Sequence, residues 1–174
     1  PRAGSAKTPC ENSPAPPSRA AFPLDNRGKL FTEIIVSQRL SHSAPQGTVQ
    51  LRDVIEADLP TLFAHQMDPI ANQLAAFPAR DWDAFMPHWA NILRDESVIK
   101  RVILLNGEVA GNILSFDRDG ERLVGYWIGR QHWGQGIASR ALPEFLTHEK
   151  ARPLHARVAK HNPASIRVLP KCGF

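Results

Sequence analysis

Cysteines and long apolar runs are scarce in this chain. Only two cysteines, Cys10 and Cys172, occur in 174 residues, too few and too far apart to indicate a disulfide framework. No run reaches the roughly 18 apolar residues of a membrane-spanning helix, and the first thirty residues contain no apolar stretch of the secretory type. We therefore expect a cytoplasmic protein without a membrane partner.

Concentrated positive charge is also missing from most of the chain. The net charge is +4, but residues 1–46 hold six of the 21 Lys and Arg residues and three of the 17 Asp and Glu residues. The tail therefore carries +3 and the remainder only +1. A nucleic-acid surface needs clustered basic residues, so nucleic acid is not an expected partner. The seven histidines show no ligand spacing, and we expect no metal.

The N-terminal quarter differs in composition from the rest. Residues 1–46 are rich in Pro, Ser and Ala, with a Pro-Ala-Pro-Pro-Ser run at 14–18. Such a segment cannot bury enough apolar surface to offset its ordering entropy. We predict a mostly disordered tail at residues 1–46, in which the apolar stretch 30–36 could dock as a strand or helix, followed by one folded domain at residues 47–174.

The clearest structural signal is a hairpin at residues 98–116. Two β-rich runs, 98–105 and 109–116, flank Asn106-Gly107, a dipeptide typical of a type I′ turn. Hydrophobic periodicity predicts the other elements: strands at 48–52, 123–128 and 154–159, and helices at 56–66, 81–93, 136–149 and from 162 onward. This order predicts an α+β fold in which helices flank a mixed, mostly antiparallel central sheet.

A glycine-rich loop lies between the predicted strand 123–128 and the helix that follows it. Gln131, Gly134 and Gly136 form the pattern Q-x-x-G-x-G. Glycines let backbone N–H groups turn inward around a pyrophosphate, and a helix start adds unpaired donors and partial positive charge. A plain turn and a Rossmann dinucleotide site are alternatives. Against the latter, Ser139 occupies the third glycine position and the loop follows an antiparallel meander.

Two sequence blocks resemble one known family. The run V-G-Y-W-I-G at 124–129, followed by Q-x-x-G-x-G-I-A at 131–138, resembles the acetyl-CoA motif of the GNAT superfamily of N-acetyltransferases. A second block at 162–174 is similar to the N-x-A-S-x-x-V-L-x-K-x-G-F block of its ribosomal-protein-alanine acetyltransferase-like branch. The resemblance covers residues 48–174. It implies the acyl-CoA N-acyltransferase fold and acetyl transfer from acetyl-CoA, the co-substrate, to a primary amine by direct attack in a ternary complex. The acceptor would be a small molecule or a protein N-terminus.

The resemblance also implies particular site residues. Ser165 would protonate the departing thiolate or simply hydrogen-bond coenzyme A, since Leu169 stands where many relatives carry a tyrosine acid. A backbone N–H near Ile128 would polarise the thioester carbonyl. Asn162 could contact the pantetheine arm or act only as a helix N-cap. The implied coenzyme A-binding residues are Tyr126, Trp127, Ile128, Gln131, Gly134, Gln135, Gly136, Ile137, Ala138, Ser139 and Asn162.

No general base stands out. Glu108, Asp119, Glu121 and His132 are possible by type, but each could equally be a solvated turn or loop residue.

The chain departs from the family pattern in two ways. Relatives continue through two more strands beyond the position of Phe174, so we expect a C-terminally truncated domain whose strand 154–159 has an unpaired edge. Pro143 and Pro170 lie inside predicted helices, where proline is costly. A non-catalytic acyl-CoA-binding module or an inactive truncated remnant therefore remains the alternative function. A monomer and a homodimer formed through the open edge are both possible.

Overall fold

A five-stranded sheet forms the centre of the molecule. The computed structural model describes residues 31–32 and 47–174. The strands are β1 (Phe31–Thr32), β2 (Val49–Asp53), β3 (Ile99–Leu105), β4 (Glu108–Arg118), β5 (Glu121–Ile128), β6 (His155–Ala156) and β7 (Val158–Ala159). The sheet order is β2-β3-β4-β5-β6, and all neighbours are antiparallel except β5 and β6, which are parallel. The predicted mixed, mostly antiparallel sheet is confirmed.

Two tight turns hold the meander β3-β4-β5 in register. Asn106 and Gly107 have φ angles of 54° and 86°, as the two central positions of a type I′ turn require. Asp119 and Gly120 repeat the arrangement, with 53° and 82°. Between the turns the β4–β5 register runs unbroken, so each residue of β5 has a defined partner and a defined face.

Helices cover both faces of the sheet. They are α1 (Leu59–Gln66), α2 (Pro69–Ala75), α3 (Trp82–Arg94), α4 (Ile137–His148) and α5 (Pro163–Lys171). One core cluster joins α1 and α3 to the sheet around the fully buried Phe85, and the other joins α4 and α5 to the opposite face around Phe145. These two layers place β5 between the α1–α2 side and the α4–α5 side.

The structure departs from the predicted elements in two places. Helix α2 was not predicted; it follows Asp68, whose side chain accepts hydrogen bonds from the N–H groups of Ile70 and Ala71. The single predicted strand 154–159 divides at Arg157 into β6 and β7. The prediction of an unpaired edge there is wrong for β7, because Val158 and Ala159 pair antiparallel with Thr32 and Phe31. The predicted disorder of the tail otherwise lies outside the described residues.

The interior prolines do not break their helices. Pro143 lies within the continuous helix α4 and Pro170 within α5, each removing one backbone hydrogen bond from its helix. No helix among the described residues is long and apolar enough to cross a membrane.

Candidate active site

Strands β5 and β6 diverge and open a cleft. They pair only at Leu123–His155 and Val124–Ala156. Directly after β5, the N–H of Gly129 donates to the carbonyl of Ala110 on β4, at 2.8 Å. Backbone groups of successive strand residues point alternately to opposite neighbours. The N–H and C=O groups of Tyr126 and Ile128 therefore point away from β4, into the cleft.

The cleft brings most of the predicted site residues together. Its volume is about 370 Å³. Of the twelve predicted residues, ten line it: Tyr126, Trp127, Ile128, Gly134, Gly136, Ile137, Ala138, Ser139, Asn162 and Ser165. The two sequence blocks, about thirty residues apart, thus meet across one opening.

The side chains of Gln131 and Gln135 contact other residues of the protein instead of lining the cleft. The Nε2 atom of Gln131 lies 2.9 Å from Nε2 of His65, and the Nε2 of Gln135 donates to the carbonyl of Gln131 at 3.4 Å. Neither residue lines the cleft. Their amide side chains therefore anchor the loop.

Two glycines of the loop have left-handed backbone angles. Gly134 and Gly136 have φ angles of 76° and 66°, and Gly136 is the N-cap of α4 without a side-chain cap. A Cβ atom at either glycine would meet nothing within 4 Å. Arg140 donates to the Gln135 carbonyl at 3.0 Å, which holds that carbonyl on the Arg140 side of the loop. The first N–H groups of α4 have no partner within the helix and are available at this end of the cleft.

The Ser165 side chain lies near the Tyr126 hydroxyl in the lining of the cleft. The Ser165 N–H donates to Oδ1 of Asn162 at 3.1 Å, so Asn162 is a helix N-cap, whatever else its amide group binds. The Tyr126 hydroxyl is buried and makes no hydrogen bond of normal geometry. Burial raises the pKa of Tyr126, and the nearby Ser165 side chain partly opposes this rise. From the sequence, Tyr126 was predicted only to line the coenzyme A site. It is the only tyrosine in the chain, and this was the sequence feature that could have indicated a chemical role.

His65 is a site residue that sequence reasoning missed. Its carbonyl accepts from Trp127 Nε1 at 3.1 Å. A Cβ at Gly129 would lie 2.5 Å from its Nε2 atom, so only glycine lets β5 approach so closely. Burial and, second, the charge of His132 lower the pKa of His65 to about 4. His65 therefore stays neutral near pH 7, and its Nε2 can accept a hydrogen bond from Gln131.

A second, smaller cavity lies on the α1–α2 side of β5. Its volume is about 160 Å³. It shares Ala75, Tyr126 and Trp127 with the cleft, so the two openings meet at the middle of β5. Its walls are mostly apolar, and among its polar residues Gln66 has a buried Oε1 atom without a hydrogen-bond partner.

The four candidate bases lie in different surroundings. His132 lines the cleft. Asp119 and Glu121 form ion pairs with Arg157, at 3.6 and 2.7 Å, and Glu108 is exposed beside the first hairpin turn. Of the four, His132 alone lines either cavity. Within the described residues, no group of three or more His, Cys, Asp or Glu side chains is placed to hold a metal ion.

One protein family matches this chain by sequence. The profile described as acetyltransferase (GNAT) domain matches residues 48–174, which includes both sequence blocks and every residue of the cleft. A search of curated proteins returned no sequence match.

Solved structures with the same fold share little sequence with the chain. A domain from Methanocaldococcus jannaschii is 21% identical, with a TM-score of 0.63, over 74% of this chain and 89% of its own. Spermidine N-acetyltransferase from Vibrio cholerae, in complex with CoA and spermine, is 15% identical, with a TM-score of 0.63, over 72% and 79%. An aminoglycoside acetyltransferase in complex with coenzyme A and kanamycin is 20% identical, with a TM-score of 0.60, over 73% and 84%.

Proposed function

The chain belongs to the GNAT family of acetyltransferases, and from that premise we propose that it moves the acetyl group of acetyl-CoA to a primary amine by direct attack in a ternary complex. The observation that carries this proposal is the cleft between β5 and β6, with the glycine loop at its helix end. An elongated thioester with a pyrophosphate fits such a cleft.

The cleft offers two kinds of contact to coenzyme A. Along β5, the backbone groups of Tyr126 and the N–H of Ile128 lack a strand partner on the cleft side and can pair with the pantetheine amides as a neighbouring strand would. The Ile128 carbonyl already accepts a hydrogen bond from Trp133 Nε1 at 2.8 Å. At the loop, Gly134 and Gly136 leave open space, and the start of α4 supplies N–H donors for the pyrophosphate. Buried backbone groups require partners, which favours a ligand with amides and phosphates.

The chemical step would occur where the two cavities meet, beside Tyr126 and Trp127. The amine enters through the second cavity and attacks the thioester carbon; the N–C bond forms and the C–S bond breaks. The N–H of Ile128 stabilises the negative charge that develops on the carbonyl oxygen. The proton leaving the amine passes to a base, for which His132 is the candidate that lines the cleft.

Ser165 is the proposed donor to the departing sulfur. It lines the cleft next to the Tyr126 hydroxyl, and a phenol with a raised pKa keeps its proton at neutral pH. Tyr126 can therefore donate a hydrogen bond to the serine oxygen as the sulfur takes the serine proton. The proton released by the amine then restores the serine hydroxyl through solvent, so the net transfer is from the amine to the sulfur. The amine acceptor is supported by the two amine complexes among the solved structures of this fold.

The test measures binding and turnover separately. Calorimetry with acetyl-CoA and with NAD should show binding of acetyl-CoA only, and thiol release should follow with at least one of a panel of primary amines. Ser165→Ala should lower kcat while leaving the acetyl-CoA affinity within about twofold, a difference of less than about 0.5 kcal/mol. Ser97→Ala, an exposed serine whose hydroxyl contacts Asp95, is the matched control.

Each outcome decides something. Binding of NAD in place of acetyl-CoA would reject the coenzyme A site. Tight acetyl-CoA binding without thiol release from any amine would instead support the non-catalytic acyl-CoA-binding alternative.

A further inference from the structure

Resting on the proposed function, we infer that the acceptor is a small amine whose apolar body ends in an anionic group, and that Arg157 and Arg118 bind this group. The acceptor would bind in the second cavity, on the α1–α2 side of β5.

The size of this cavity limits the body of the acceptor. Its volume of about 160 Å³ is close to the roughly 150 Å³ of an apolar cavity that holds benzene. Phe77, Phe116 and Leu123 contribute apolar walls. The enclosed part therefore suits one aromatic ring or one branched side chain.

The charged residues that line the cavity indicate which chemical group lies at the far end of the acceptor. Among the described residues, Arg118 and Arg157 are the charged side chains that line the cavity, and no carboxylate does. A guanidinium presents a fork of donors that matches a carboxylate or phosphate. A second ammonium group at this end of the acceptor would face two guanidinium groups, because the carboxylates that pair with them, Asp119 and Glu121, do not line the cavity.

The carboxylates that already pair with these arginines are accessible to solvent. Asp119 contacts both arginines and Glu121 contacts Arg157, but the two acidic side chains are 64% and 39% exposed. Exposed ion pairs contribute only about 0–1 kcal/mol. An acceptor carboxylate, shielded in the cavity, can therefore join or replace these pairs at little cost.

The two ends of the cavity lie at opposite ends of one stretch of sheet. Asn112 and Trp127 pair at the end where the cleft opens, and Phe116 and Leu123 pair next to the arginines. Four residues separate these pairs, a span of roughly 13 Å at about 3.3 Å per residue. The length of the arginine side chains shortens the distance that the acceptor has to span. The acceptor must still carry its amine and its anionic group at opposite ends of a rigid body.

Gln66 provides a polar contact within the cavity. The residue is 4% exposed and its Oε1 atom has no hydrogen-bond partner. A buried hydrogen-bond acceptor without a partner costs about 1–3 kcal/mol. An N–H group of the amine substrate that donates to Oε1 of Gln66 would remove that cost.

The experiment compares three amines that differ at one position. They are 4-(aminomethyl)benzoate, benzylamine and 1,4-bis(aminomethyl)benzene, which place a carboxylate, a hydrogen or an ammonium group opposite the same amine. We expect kcat/KM for the benzoate to exceed that for the other two by about tenfold or more, the effect of one hydrogen bond to a charged group. Arg157→Gln should abolish the preference, and Arg94→Gln, an exposed arginine on α3, should preserve it.

A second variant closes the cavity without touching the arginines. Gly125 lines the cavity, and a Cβ there would meet nothing within 4 Å. Gly125→Val should fill the space, lower kcat/KM for the benzoate at least tenfold, and leave acetyl-CoA affinity unchanged. Valine is favoured in strands, so the thermal midpoint of this variant should not fall.

The outcomes separate this inference from the proposed function. Equal kcat/KM for the three amines, or a preference that survives Arg157→Gln, would overturn the anionic acceptor and leave acetyl transfer standing. If no amine turns over, calorimetry of 4-(aminomethyl)benzoate with the CoA-saturated protein and with the free protein decides the anion site. Binding that Arg157→Gln removes supports the site, and absence of binding overturns it.

Discussion

Gly136 combines a left-handed backbone angle with a place in the glycine loop. Its φ of 66° lies in the left-handed region, where a residue with a Cβ costs roughly 1–2 kcal/mol. Gly107 has a φ of 86° in the hairpin turn, also with open space around it, and does not line the cleft. The two glycines therefore share a left-handed backbone angle, but only Gly136 lines the cleft.

We predict that Gly136→Ala and Gly107→Ala lose similar stability but differ in ligand binding. Both should unfold about 1 kcal/mol more easily, as chemical denaturation would measure. Only Gly136→Ala should weaken acetyl-CoA, by about tenfold or more in calorimetry, because its methyl group enters the space assigned to the pyrophosphate. Equal affinities in the two variants would argue against the loop as the phosphate site.

How far single residues could be predicted depended on how local their role is. The turn and loop glycines could be identified from sequence, because a positive φ angle leaves its mark in the residue type. The roles of His65, Gln66 and the Tyr126 hydroxyl could not. Each depends on burial by elements distant in the chain, such as α1 against β5, and no local pattern encodes that burial.

At the scale of elements, a buried polar cluster joins the end of α4 to the sheet. Glu149 accepts from the Ser115 hydroxyl at 2.5 Å, from Arg122 Nε at 2.9 Å and from the Ala151 N–H at 2.7 Å. Burial alone would raise the pKa of Glu149, but these hydrogen bonds and the charge of Arg122 hold it below its ordinary value. The cluster thus fixes the last turn of α4 against β4 and β5.

Glu149→Gln should destabilise the fold by up to about 3 kcal/mol, since it removes the buried charge partner of the largely buried Arg122 and leaves it only the more exposed Asp117, at 3.4 Å. Because the folded pKa of Glu149 lies below the unfolded value, its contribution is complete above about pH 4.5 and is lost as the pH falls further. The variant should therefore also lose part of the acid sensitivity below pH 4.5. Denaturant titrations at pH 7 and pH 3.5 measure both effects, with the exposed Glu56→Gln expected to change stability by less than about 0.5 kcal/mol.

Most elements, including the five-residue β2, were predicted from sequence, whereas α2 and the division of strand 154–159 were not. The strands of the meander and helices α3 and α4 have clear periodicity, and their predicted ends differ from the observed ones by one or two residues. Helix α2 has only seven residues, too few for a periodic pattern, and its start depends on the Asp68 cap. Strand 154–159 divides because β6 follows β5 whereas β7 pairs with β1, a tertiary outcome that no local propensity decides.

Across the whole molecule, two neutral histidines, the buried His65 and the half-buried His88, link folding to pH. Burial lowers the pKa of His65 on α1 and of His88 on α3 to about 4, whereas an unfolded chain has histidines near 6.5. The unfolded state therefore binds protons first as the pH falls. Stability should be unaffected by these groups above pH 6.5 and should decline between about pH 6.5 and 4.

We predict a decline approaching about 1.4 kcal/mol per pH unit for each histidine in this range. His65→Gln or His88→Gln should each remove about half of the slope, and the double variant most of it. Denaturant unfolding at pH 7, 6 and 5 measures the slopes. A parent protein whose stability is constant over this range would contradict the neutral burial of both side chains.

Because β5 diverges from β6, the backbone amides of β5 can report whether a ligand occupies the cleft. The amides of Gly125 and Trp127 point toward β4, whereas those of Tyr126 and Ile128 point into the cleft. In the free protein, amide hydrogen exchange along this strand should alternate, slow at the first pair and fast at the second. A bound pantetheine arm would slow the second pair and leave the first unchanged. The pattern of deuterium uptake at the five consecutive amides 125–129 would then show whether the cleft is filled and how far along the strand the ligand lies.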